Sequence, residues 1–258
     1  MKGLTIIKVG GKIVEEEGSL QQLLTDFSKI DGHKILVHGG GRLASTIAGQ
    51  LGIESRMVDG RRITDEATLQ VVTMVYAGLV NKKIVAGLQA LQVNALGLTG
   101  ADMNLIRAAK RPVLQVDYGF AGDVKEVNTS ALSLLLQNGY VPVLSPLTHD
   151  KKGLLLNTNA DTIAAETAKA LSVLFDVTLI YCFEKSGVLL DENDETSVIP
   201  LLDRDLYADY KAEGIIHGGM IPKLDNAFLA IDAGVKQVVI TKASAIAENK
   251  GTVIRGSL

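Results

Sequence analysis

The chain has few of the cysteine and aromatic residues that are typical of disulfide-bonded proteins and of proteins that stack bases. Its 258 residues include one cysteine and no tryptophan, and aromatic residues make up 4% of the total. A single cysteine excludes an internal disulfide, and so few aromatic rings argue against a surface on which bases stack. Cys182 lies in the apolar run from Val177 to Phe183, so we interpret it as a buried core residue rather than a nucleophile.

Charge and long apolar runs are also scarce. The formal net charge is −3 and charged residues make up 21% of the chain, which favours neither nucleic acid nor an anionic membrane as a partner. No uninterrupted apolar run approaches the roughly 20 residues that a membrane-spanning helix needs. The chain opens on a strand-like pattern, without the basic and apolar regions of a signal peptide. We therefore expect no nucleic-acid partner, no membrane and a cytoplasmic location.

Several catalytic signatures are missing from the sequence. There is no Gly-x-x-x-x-Gly-Lys-Ser/Thr loop, and the glycines do not follow the Gly-x-Gly-x-x-Gly spacing of a dinucleotide-binding fold. No Gly-x-Ser-x-Gly element is present, and the four histidines lack the spacing of metal ligands. These absences exclude a P-loop enzyme and an α/β-hydrolase, and they argue against a dinucleotide-binding protein and a histidine metal site.

Short apolar runs alternate with helical patterns along the whole chain, which is typical of a mostly parallel sheet covered by helices. Apolar residues make up 47% of the sequence, enough for a sizeable core. We therefore predict an α/β protein. The tight turn from Asp150 to Gly153 predicts a boundary between an N-terminal lobe, residues 1–153, and a C-terminal lobe, residues 154–258.

One predicted helix is unusually long. Thr64 is the expected N-cap, and the helical pattern continues to Leu91. Gly78 and Gly87 interrupt this pattern, and they allow two interpretations. Either they permit close packing of the helix against a second subunit, or they divide it into two helices.

Two glycine turns follow the first two predicted strands. Lys8-Val9-Gly10-Gly11 ends the first strand, and His38-Gly39-Gly40-Gly41 ends the second and leads into a helix. Strand, glycine turn and helix form an arrangement that points backbone N–H groups at an anion. Lys8 stands inside an apolar strand, where a buried cation needs an anionic partner. The turns therefore predict a site for phosphate or carboxylate groups.

Further polar residues fall after predicted strands, where ligands collect in open α/β sheets. Asn157, Asn159 and Asp161 alternate, so an extended backbone would direct them to one side. Asp161 either holds lysines in place or caps the following helix. Lys223 follows a glycine pair and Arg62 suits a carboxylate, although each is also interpretable as a solvated surface charge.

Five motifs together resemble the amino acid kinase family over nearly the whole chain. The Gly-x-Arg-x-Thr element at Gly60 and the Asn-x-Asn-Ala-Asp element at Asn157 point to its acetylglutamate branch. The resemblance implies a three-layer αβα sandwich with a central, mostly parallel sheet. The five motifs are Ile7-Lys8-Val9-Gly10-Gly11, Val37-His38-Gly39-Gly40-Gly41, Asp59-Gly60-Arg61-Arg62-Ile63-Thr64, Leu156-Asn157-Thr158-Asn159-Ala160-Asp161 and Gly218-Gly219-Met220-Ile221-Pro222-Lys223.

The resemblance also implies a reaction. ATP, carrying Mg²⁺ on its phosphates, would phosphorylate the side-chain carboxylate of N-acetyl-L-glutamate, the second step of arginine biosynthesis. The N-terminal lobe would bind the acylglutamate and form the dimer contact, and the C-terminal lobe would bind ATP. Carried over by position, the implied catalytic residues are Lys8, Lys223 and Asp161; the substrate-binding residues are Gly40, Gly41, Arg62, Asn157 and Asn159; and the nucleotide-binding residues are Gly10, Gly11, Glu184, Gly187, Val188, Leu189, Ile215, Ile216 and His217.

The sequence departs from the family pattern in two places. Glu184-Lys185 stands where relatives commonly carry Asp, which changes the details of the nucleotide loop. The chain begins at its first strand, whereas arginine-inhibited relatives carry a preceding helix that links dimers into hexamers. We therefore expect a homodimer that is insensitive to arginine.

Three alternatives stay open for the function. The acceptor would be N-succinyl-L-glutamate if an additional cation, with Arg56, Arg61 and Lys12 as candidates, binds a second carboxylate. Another amino acid kinase, such as a carbamate or glutamate 5-kinase, is a second alternative. A regulator that binds ligands without catalysis is a third, although it would not need Lys8, Asp161 and Lys223 together.

Overall fold

The computed structural model describes residues 1–58, 60–218, 220–248 and 250–256. Asp59 and Gly219, which belong to two of the sequence motifs, lie outside the described residues. The strands, in chain order, are β1 (Lys2–Val9), β2 (His33–His38), β3 (Met57–Val58), β4 (Arg61–Arg62), β5 (Ala95–Leu98), β6 (Ile106–Lys110), β7 (Gly122–Val127), β8 (Val141–Leu144), β9 (Leu147–His149), β10 (Leu155–Asn157), β11 (Phe175–Phe183), β12 (Leu201–Leu202), β13 (Gln237–Lys242) and β14 (Thr252–Ile254).

Helices connect most of these strands. They are α1 (Gly11–Glu15), α2 (Glu17–Ser28), α3 (Gly41–Gln50), α4 (Glu66–Val72), α5 (Asn81–Ala90), α6 (Thr129–Gln137), α7 (Ala160–Leu171), α8 (Arg204–Ala212) and α9 (Met220–Asp232). A π-helical segment, Thr73–Val80, joins α4 to α5, and the segments Asp102–Asn104 and Ala243–Glu248 are 3₁₀-helical.

Within the described ranges, eight strands form the main sheet in the order β12-β14-β13-β11-β1-β2-β8-β5. Every neighbouring pair is parallel except β13 and β14. Parallel neighbours place their carboxyl ends at one edge, so β1, β2 and β11 all end beside one another. The predicted α/β fold with a mostly parallel sheet is confirmed. The short strands β12 and β14 carry too few residues for a periodic pattern, and sequence reasoning missed them.

The central strands are buried on both faces. Along β1, Leu4 and Ile6 belong to one hydrophobic cluster, whereas Ile7 and Val9 belong to the other. Consecutive side chains of a strand point to opposite faces, which produces this division. Helices α6 to α9 cover the first face and helices α1 to α5 cover the second. The molecule is therefore the expected three-layer αβα sandwich.

The long helix runs without a break from Glu66 to Ala90 through the π-helical segment. Its N-cap is Asp65, whose carboxylate accepts a hydrogen bond from the Thr68 N–H, so the predicted cap at Thr64 is wrong by one residue. Of the two alternatives left open for its glycines, division into two helices is excluded. A Cβ on Gly87 would lie 2.6 Å from Leu24 Cδ1, so this glycine permits close packing against α2 within the same chain.

By length and composition alone, the helix from Glu66 to Ala90 could cross a membrane, which the run-length argument from the sequence did not anticipate. Its most apolar 18-residue stretch has a mean hydropathy of 1.4, and 44% of that stretch is buried. Val71, Ile84 and Leu88 lie in the protein core. Its apolar side chains are thus divided between the core and the surface, where Met74 and Leu79 are exposed.

A second sheet, in the order β10-β9-β6-β7, packs beside the main one and carries part of the site. Strands β9 and β10 are antiparallel, and the turn from Asp150 to Gly153 joins them. The Asp150 carboxylate accepts hydrogen bonds from the N–H groups of Lys152 and Leu154, which stabilises that turn. Strand β10 ends at Asn157, directly before the N-cap of α7.

Candidate active site

The two glycine turns predicted from the sequence face each other. Strands β1 and β2 are parallel neighbours, and the Gly39 N–H donates a 3.0 Å hydrogen bond to the Val9 carbonyl. A Cβ on Gly11 would lie 3.5 Å from the Gly40 nitrogen and 3.6 Å from the Gly41 nitrogen. The turns thus bring backbone N–H groups from two strand ends to one place. Gly10 is the N-cap of α1 and adjoins the same opening.

Gly40 is the N-cap of α3, and only glycine fits there. Its φ angle is +156°, and a Cβ would lie 3.2 Å from Cδ1 of the Tyr76 ring. Tyr76 is buried, and it comes from the π-helical segment. Sequence reasoning missed Tyr76, because a spacing pattern carries no signal for a local change from α- to π-helix.

Lys8 and Asp161 form an ion pair at the edge of the sheet. The Lys8 Nζ atom lies 2.8 Å from Asp161 Oδ1, and Lys8 is buried. The N-cap of α7 is Asn159, whose Oδ1 accepts hydrogen bonds from the N–H groups of Asp161 and Thr162. Asp161 is therefore free of the capping role that the sequence left open, and its carboxylate faces a lysine.

The Asp161 Oδ1 atom is buried and accepts no well-aligned hydrogen bond in the described part of the chain. At 2.8 Å its contact with Lys8 is an ion pair, and the three N–H groups of an ammonium leave donors for a ligand as well.

Lys223 reaches the same region from α9. Its Nζ atom lies 4.0 Å from the centroid of the Phe183 ring, and the Lys8 Nζ atom lies 5.5 Å from the same centroid. Burial lowers the pKa of Lys223, the nearby Lys8 lowers it further, and the carboxylates of Asp161 and Glu184 act in the opposite direction. The two predicted lysines thus converge around one aromatic ring and one carboxylate.

Arg62 is buried and held by three hydrogen bonds. Its guanidinium donates to the Gly41 carbonyl at 2.7 Å, to Ser45 Oγ at 2.8 Å and to Ser55 Oγ at 2.8 Å. A guanidinium carries more donors than these bonds use, so it retains some for a ligand. Asn157 is held in a similar way, because its Nδ2 donates to Thr64 Oγ1 at 3.0 Å.

These elements enclose a cavity of about 200 Å³. Eight of the predicted site residues line it: Lys8, Gly11, Gly40, Gly41, Arg62, Asn157, Asn159 and Asp161. Met57, Tyr76, Gly122 and Thr158 line it as well, although the sequence analysis gave them no role in the site. Arg61, named there only as a candidate cation for a second carboxylate, lines it too. The cavity is therefore rich in backbone N–H groups and cations, which suits an anionic ligand.

Apart from Gly11, the predicted nucleotide residues do not line this cavity. Glu184 is exposed, and its Oε2 atom lies 3.1 Å from Lys12 Nζ. Gly187 packs closely against Thr252 and Val198. Val188 and Leu189 are buried, and the Val188 N–H donates to Thr252 Oγ1 at 2.8 Å.

The second predicted nucleotide segment precedes α9. Ile216 is buried, and its N–H donates to the Tyr210 carbonyl at 3.0 Å. Ile215 is half-buried, and His217 is exposed with its Nε2 atom 3.7 Å from Glu192 Oε1. These segments can therefore offer a ligand backbone atoms and the exposed side chains of Glu184 and His217, but not the buried side chains.

His38 is buried beneath the glycine turn and acts as neither an exposed base nor a metal ligand. Burial lowers its pKa to about 4, so the ring is neutral at pH 7. Nδ1 lies 2.8 Å from the Gly39 carbonyl and Nε2 lies 3.1 Å from Asn81 Nδ2. Because a carbonyl only accepts, we assign the ring proton to Nδ1 and the acceptor role to Nε2.

Among the described residues, no group of three or more His, Cys, Asp and Glu side chains is arranged to hold a metal ion. Besides the Asp161 carboxylate, which pairs with Lys8, the polar groups that line the cavity are ammonium, guanidinium, amide and N–H groups, and these bind anions.

A sheet edge with two facing glycine turns, two convergent lysines and a carboxylate is equipped to transfer phosphoryl groups. The chain belongs to the amino acid kinase family, whose family model matches residues 3–242. The family resemblance found in the sequence motifs is therefore confirmed.

Individual relatives agree with this membership. The chain is 70% identical over 252 residues to the acetylglutamate kinase of Phocaeicola vulgatus, a match that covers 98% of both chains. It is 70% identical to the acetylglutamate kinase of Parabacteroides distasonis, over 98% of this chain and 99% of that relative. Among solved structures, smu.665 from Streptococcus mutans UA159 has a TM-score of 0.77 and 27% identity, with 98% of each chain covered.

Proposed function

We propose that this protein transfers the γ-phosphoryl group of ATP to the side-chain carboxylate of N-acetyl-L-glutamate. The product is N-acetyl-L-glutamyl 5-phosphate, and the reaction is the second step of arginine biosynthesis. The observation that carries the proposal is the convergence of Lys8 and Lys223 beside Asp161 at the facing glycine turns. High identity to relatives named acetylglutamate kinase supports the choice of acceptor.

The chemistry needs no general base. A glutamate side-chain carboxylate has a pKa of about 4.3 and is already ionised at neutral pH. One of its oxygens attacks the γ-phosphorus, the bond from that phosphorus to the β–γ bridging oxygen breaks, and ADP leaves with those electrons. The main barrier is electrostatic repulsion between the acceptor carboxylate and the phosphates of ATP. Lys8 and Lys223 lower this barrier by neutralising charge on the transferring group, and Asp161 holds Lys8 in place.

The acceptor would lie in the cavity between the glycine turns and β10. In this proposal the N–H groups of Gly40 and Gly41 bind the reacting carboxylate. Arg62 binds the α-carboxylate with its remaining donors, and Asn157 and Asn159 bind the acylamino group. The rigid hydrogen bonds of Arg62 and Asn157 support this assignment, since a preorganised donor loses little freedom when a ligand binds.

The nucleotide would enter as its magnesium complex, as a substrate. Gly10 and Gly11 would contact its phosphates, and the remaining contacts would come from Glu184, Gly187, Val188, Leu189, Ile215, Ile216 and His217. Residues 1–153 would then carry most contacts to the acylglutamate and residues 154–258 most contacts to ATP, with Asn157 and Asn159 reaching the acceptor from the second half and Gly10 and Gly11 reaching the phosphates from the first. The position of Lys223 supports this division, because it reaches the phosphoryl site from the second half of the chain.

A hydroxamate assay tests the proposal directly. The protein is mixed with ATP, Mg²⁺, hydroxylamine and one acceptor, and an acyl phosphate is trapped as a coloured hydroxamate. We expect product with N-acetyl-L-glutamate and none with free glutamate or carbamate. A higher kcat/KM with N-succinyl-L-glutamate than with N-acetyl-L-glutamate would mean that the succinyl compound is the acceptor. Product from free glutamate alone, or from no acceptor, would overturn the assignment.

We further propose a homodimer in the cytoplasm, the compartment that supplies ATP and acylated amino acids. The long helix supports the dimer. It leaves Met74 and Leu79 exposed on its π-helical segment, and a Cβ on Gly78 would meet nothing within 4 Å. Large apolar side chains exposed beside a small residue offer a surface that a second helix can cover.

A further inference from the structure

We propose that Phe183 is a positioning residue whose ring holds the ammonium groups of Lys8 and Lys223 at the transferring phosphoryl group. The inference rests on the proposed phosphoryl transfer. Its basis is that both Nζ atoms lie within cation–π distance of one ring, at 5.5 Å and 4.0 Å from the centroid.

The ring is itself firmly anchored. Phe183 is the last residue of β11, and Tyr181 lies two residues earlier on the same face of the strand. The two rings are stacked, with centroids 6.0 Å apart and planes inclined by 12°. Tyr181 is buried, and it pairs in register with Lys8 across the sheet. A ring held by a central strand and a buried neighbour makes a rigid support.

The two lysines have different partners. Lys8 has the Asp161 carboxylate at 2.8 Å, whereas Lys223 makes no ion pair within 4.0 Å in the described residues. Its ammonium contacts the Phe183 ring instead, at 4.0 Å from the centroid. Two ammonium groups that converge on one point repel each other, and one carboxylate between them offsets only part of that repulsion.

An aromatic ring suits this position better than a second carboxylate would. The face of the ring attracts a cation through its quadrupole, but it adds no formal negative charge. A second carboxylate would neutralise Lys223 and would repel the incoming phosphates. Phe183 therefore places the second cation while leaving its full charge for the phosphoryl group.

The charged groups that face Lys223 determine how loss of the Phe183 ring affects the pKa of the Lys223 amine. They are Asp161 of α7, Lys8 of β1 and Glu184 directly after β11. Burial lowers the pKa of Lys223, whereas the face of the ring stabilises the charged form of the amine. A leucine at position 183 keeps the amine shielded from water but removes that stabilisation, so the pKa of Lys223 falls. A mechanism that needs the ammonium then loses activity at a lower pH on the alkaline side.

The test compares three variants by steady-state kinetics with ATP and N-acetyl-L-glutamate. Phe183→Leu removes the ring and keeps an apolar side chain, and Phe183→Tyr keeps the ring. Phe175→Leu, at the start of the same strand, is the matched control for loss of a buried ring away from the lysines. We expect Phe183→Leu to lower kcat about tenfold, change the acceptor KM by less than about twofold and shift the alkaline limb to lower pH.

We expect Phe183→Tyr to retain most of the wild-type kcat and pH profile, and Phe175→Leu to lower the melting temperature without a change in pH profile. Fluorinated phenylalanines at position 183 keep the shape of the ring and weaken its quadrupole stepwise, so they give an answer even if Phe183→Leu does not fold. A stepwise fall in kcat with fluorine number supports the proposal. A wild-type kcat and pH profile in the leucine or fluorinated variants overturns it. Failure of the wild-type protein to form any hydroxamate would instead defeat the proposed function.

Discussion

The ammonium of Lys8 lies 2.8 Å from the Asp161 carboxylate, and this pair joins the end of β1 to the first turn of α7. The two side chains differ in exposure, at 9% for Lys8 and 42% for Asp161. Lys8 has thus lost most of its water and depends on the carboxylate for its charge, whereas Asp161 remains partly solvated. The ion pair keeps a charged lysine at the sheet edge, largely shielded from bulk solvent.

We expect Asp161→Asn to destabilise the protein by about 1–2 kcal/mol. Breaking a fully buried pair costs about 3–5 kcal/mol, but Asp161 is half-exposed and water can reach Lys8 when the charge is lost. Turnover should fall roughly a hundredfold, because Lys8 and Lys223 lose their shared counter-charge. Urea unfolding and the hydroxamate assay measure the two effects, with Asp209→Asn on the exposed face of α8 as the control. Wild-type turnover in Asp161→Asn would remove this residue from the mechanism.

We expect Lys8→Ala and Lys223→Ala each to lower kcat roughly 10²- to 10³-fold, as the loss of a preorganised electrostatic group does. Both variants should remain folded, since neither lysine supports the hydrophobic clusters of the sheet. Lys125→Ala on exposed β7 is the control for removal of a lysine. Circular dichroism and single-turnover kinetics provide the measurement. A folded variant with near-normal kcat would show that its lysine is dispensable.

Part of the candidate site was predictable from the sequence for a simple physical reason. Lys8 and Gly40 end or follow two neighbouring parallel strands, and parallel strands bring such positions to one edge. Asn157 and Asp161 follow β10 of the second sheet, which is antiparallel to β9, so this argument does not apply to them. What the sequence showed there was the alternation of Asn157, Asn159 and Asp161.

Other features were not accessible from the sequence. The π-helical segment that carries Tyr76 depends on tertiary packing, and periodicity does not distinguish it from an α-helix. The N-cap fell on Asp65 rather than Thr64 because both residue types cap helices well. The convergence of two lysines on Phe183 is a distance between three separate elements, and spacing along the chain contains no information about it.

We expect Gly40→Ala to raise the KM for the acylglutamate at least about tenfold. Its new Cβ would lie 3.2 Å from the Tyr76 ring, and its φ of +156° is unfavourable for alanine, so the turn would have to shift. Gly49→Ala is a matched control in α3, where a Cβ meets nothing within 4 Å. That change should raise stability by about 0.4–1 kcal/mol and leave KM unaltered. Equal KM values for the two variants would contradict the role of the Gly40 turn.

We expect Leu79→Glu to convert the proposed dimer into a monomer. Leu79 is exposed on the long helix, and a charge there would be buried without a partner in a helix-to-helix contact. Leu229→Glu on α9, which is similarly exposed, is the control and should leave the assembly unchanged. Light scattering coupled to gel filtration gives the masses. A monomeric wild-type protein would exclude the dimer. A dimer that tolerates Leu79→Glu would place the contact elsewhere.

We expect His38 to make the protein less stable as the pH falls below about 6.5. The folded state keeps this ring neutral, with a pKa of about 4, whereas the unfolded chain protonates it at its ordinary value of 6.5. Between these two values the unfolded state binds more protons, so the free energy of unfolding decreases as pH falls, by about 1.4 kcal/mol per pH unit at most and roughly 3 kcal/mol in all. Above about pH 6.5 both states are neutral at this ring, and His38 contributes no pH dependence.

His38→Gln tests this linkage because glutamine keeps an amide donor and acceptor beside Gly39 and Asn81 but does not titrate. Urea unfolding at about pH 7.5 and about pH 5 gives the pH dependence for both proteins, and all other groups cancel in the comparison. The wild-type protein should lose about 2 kcal/mol more than the variant over this interval. An identical pH dependence in the two proteins would mean that His38 keeps its ordinary pKa in the folded state and is charged at about pH 5, which would contradict the buried neutral ring.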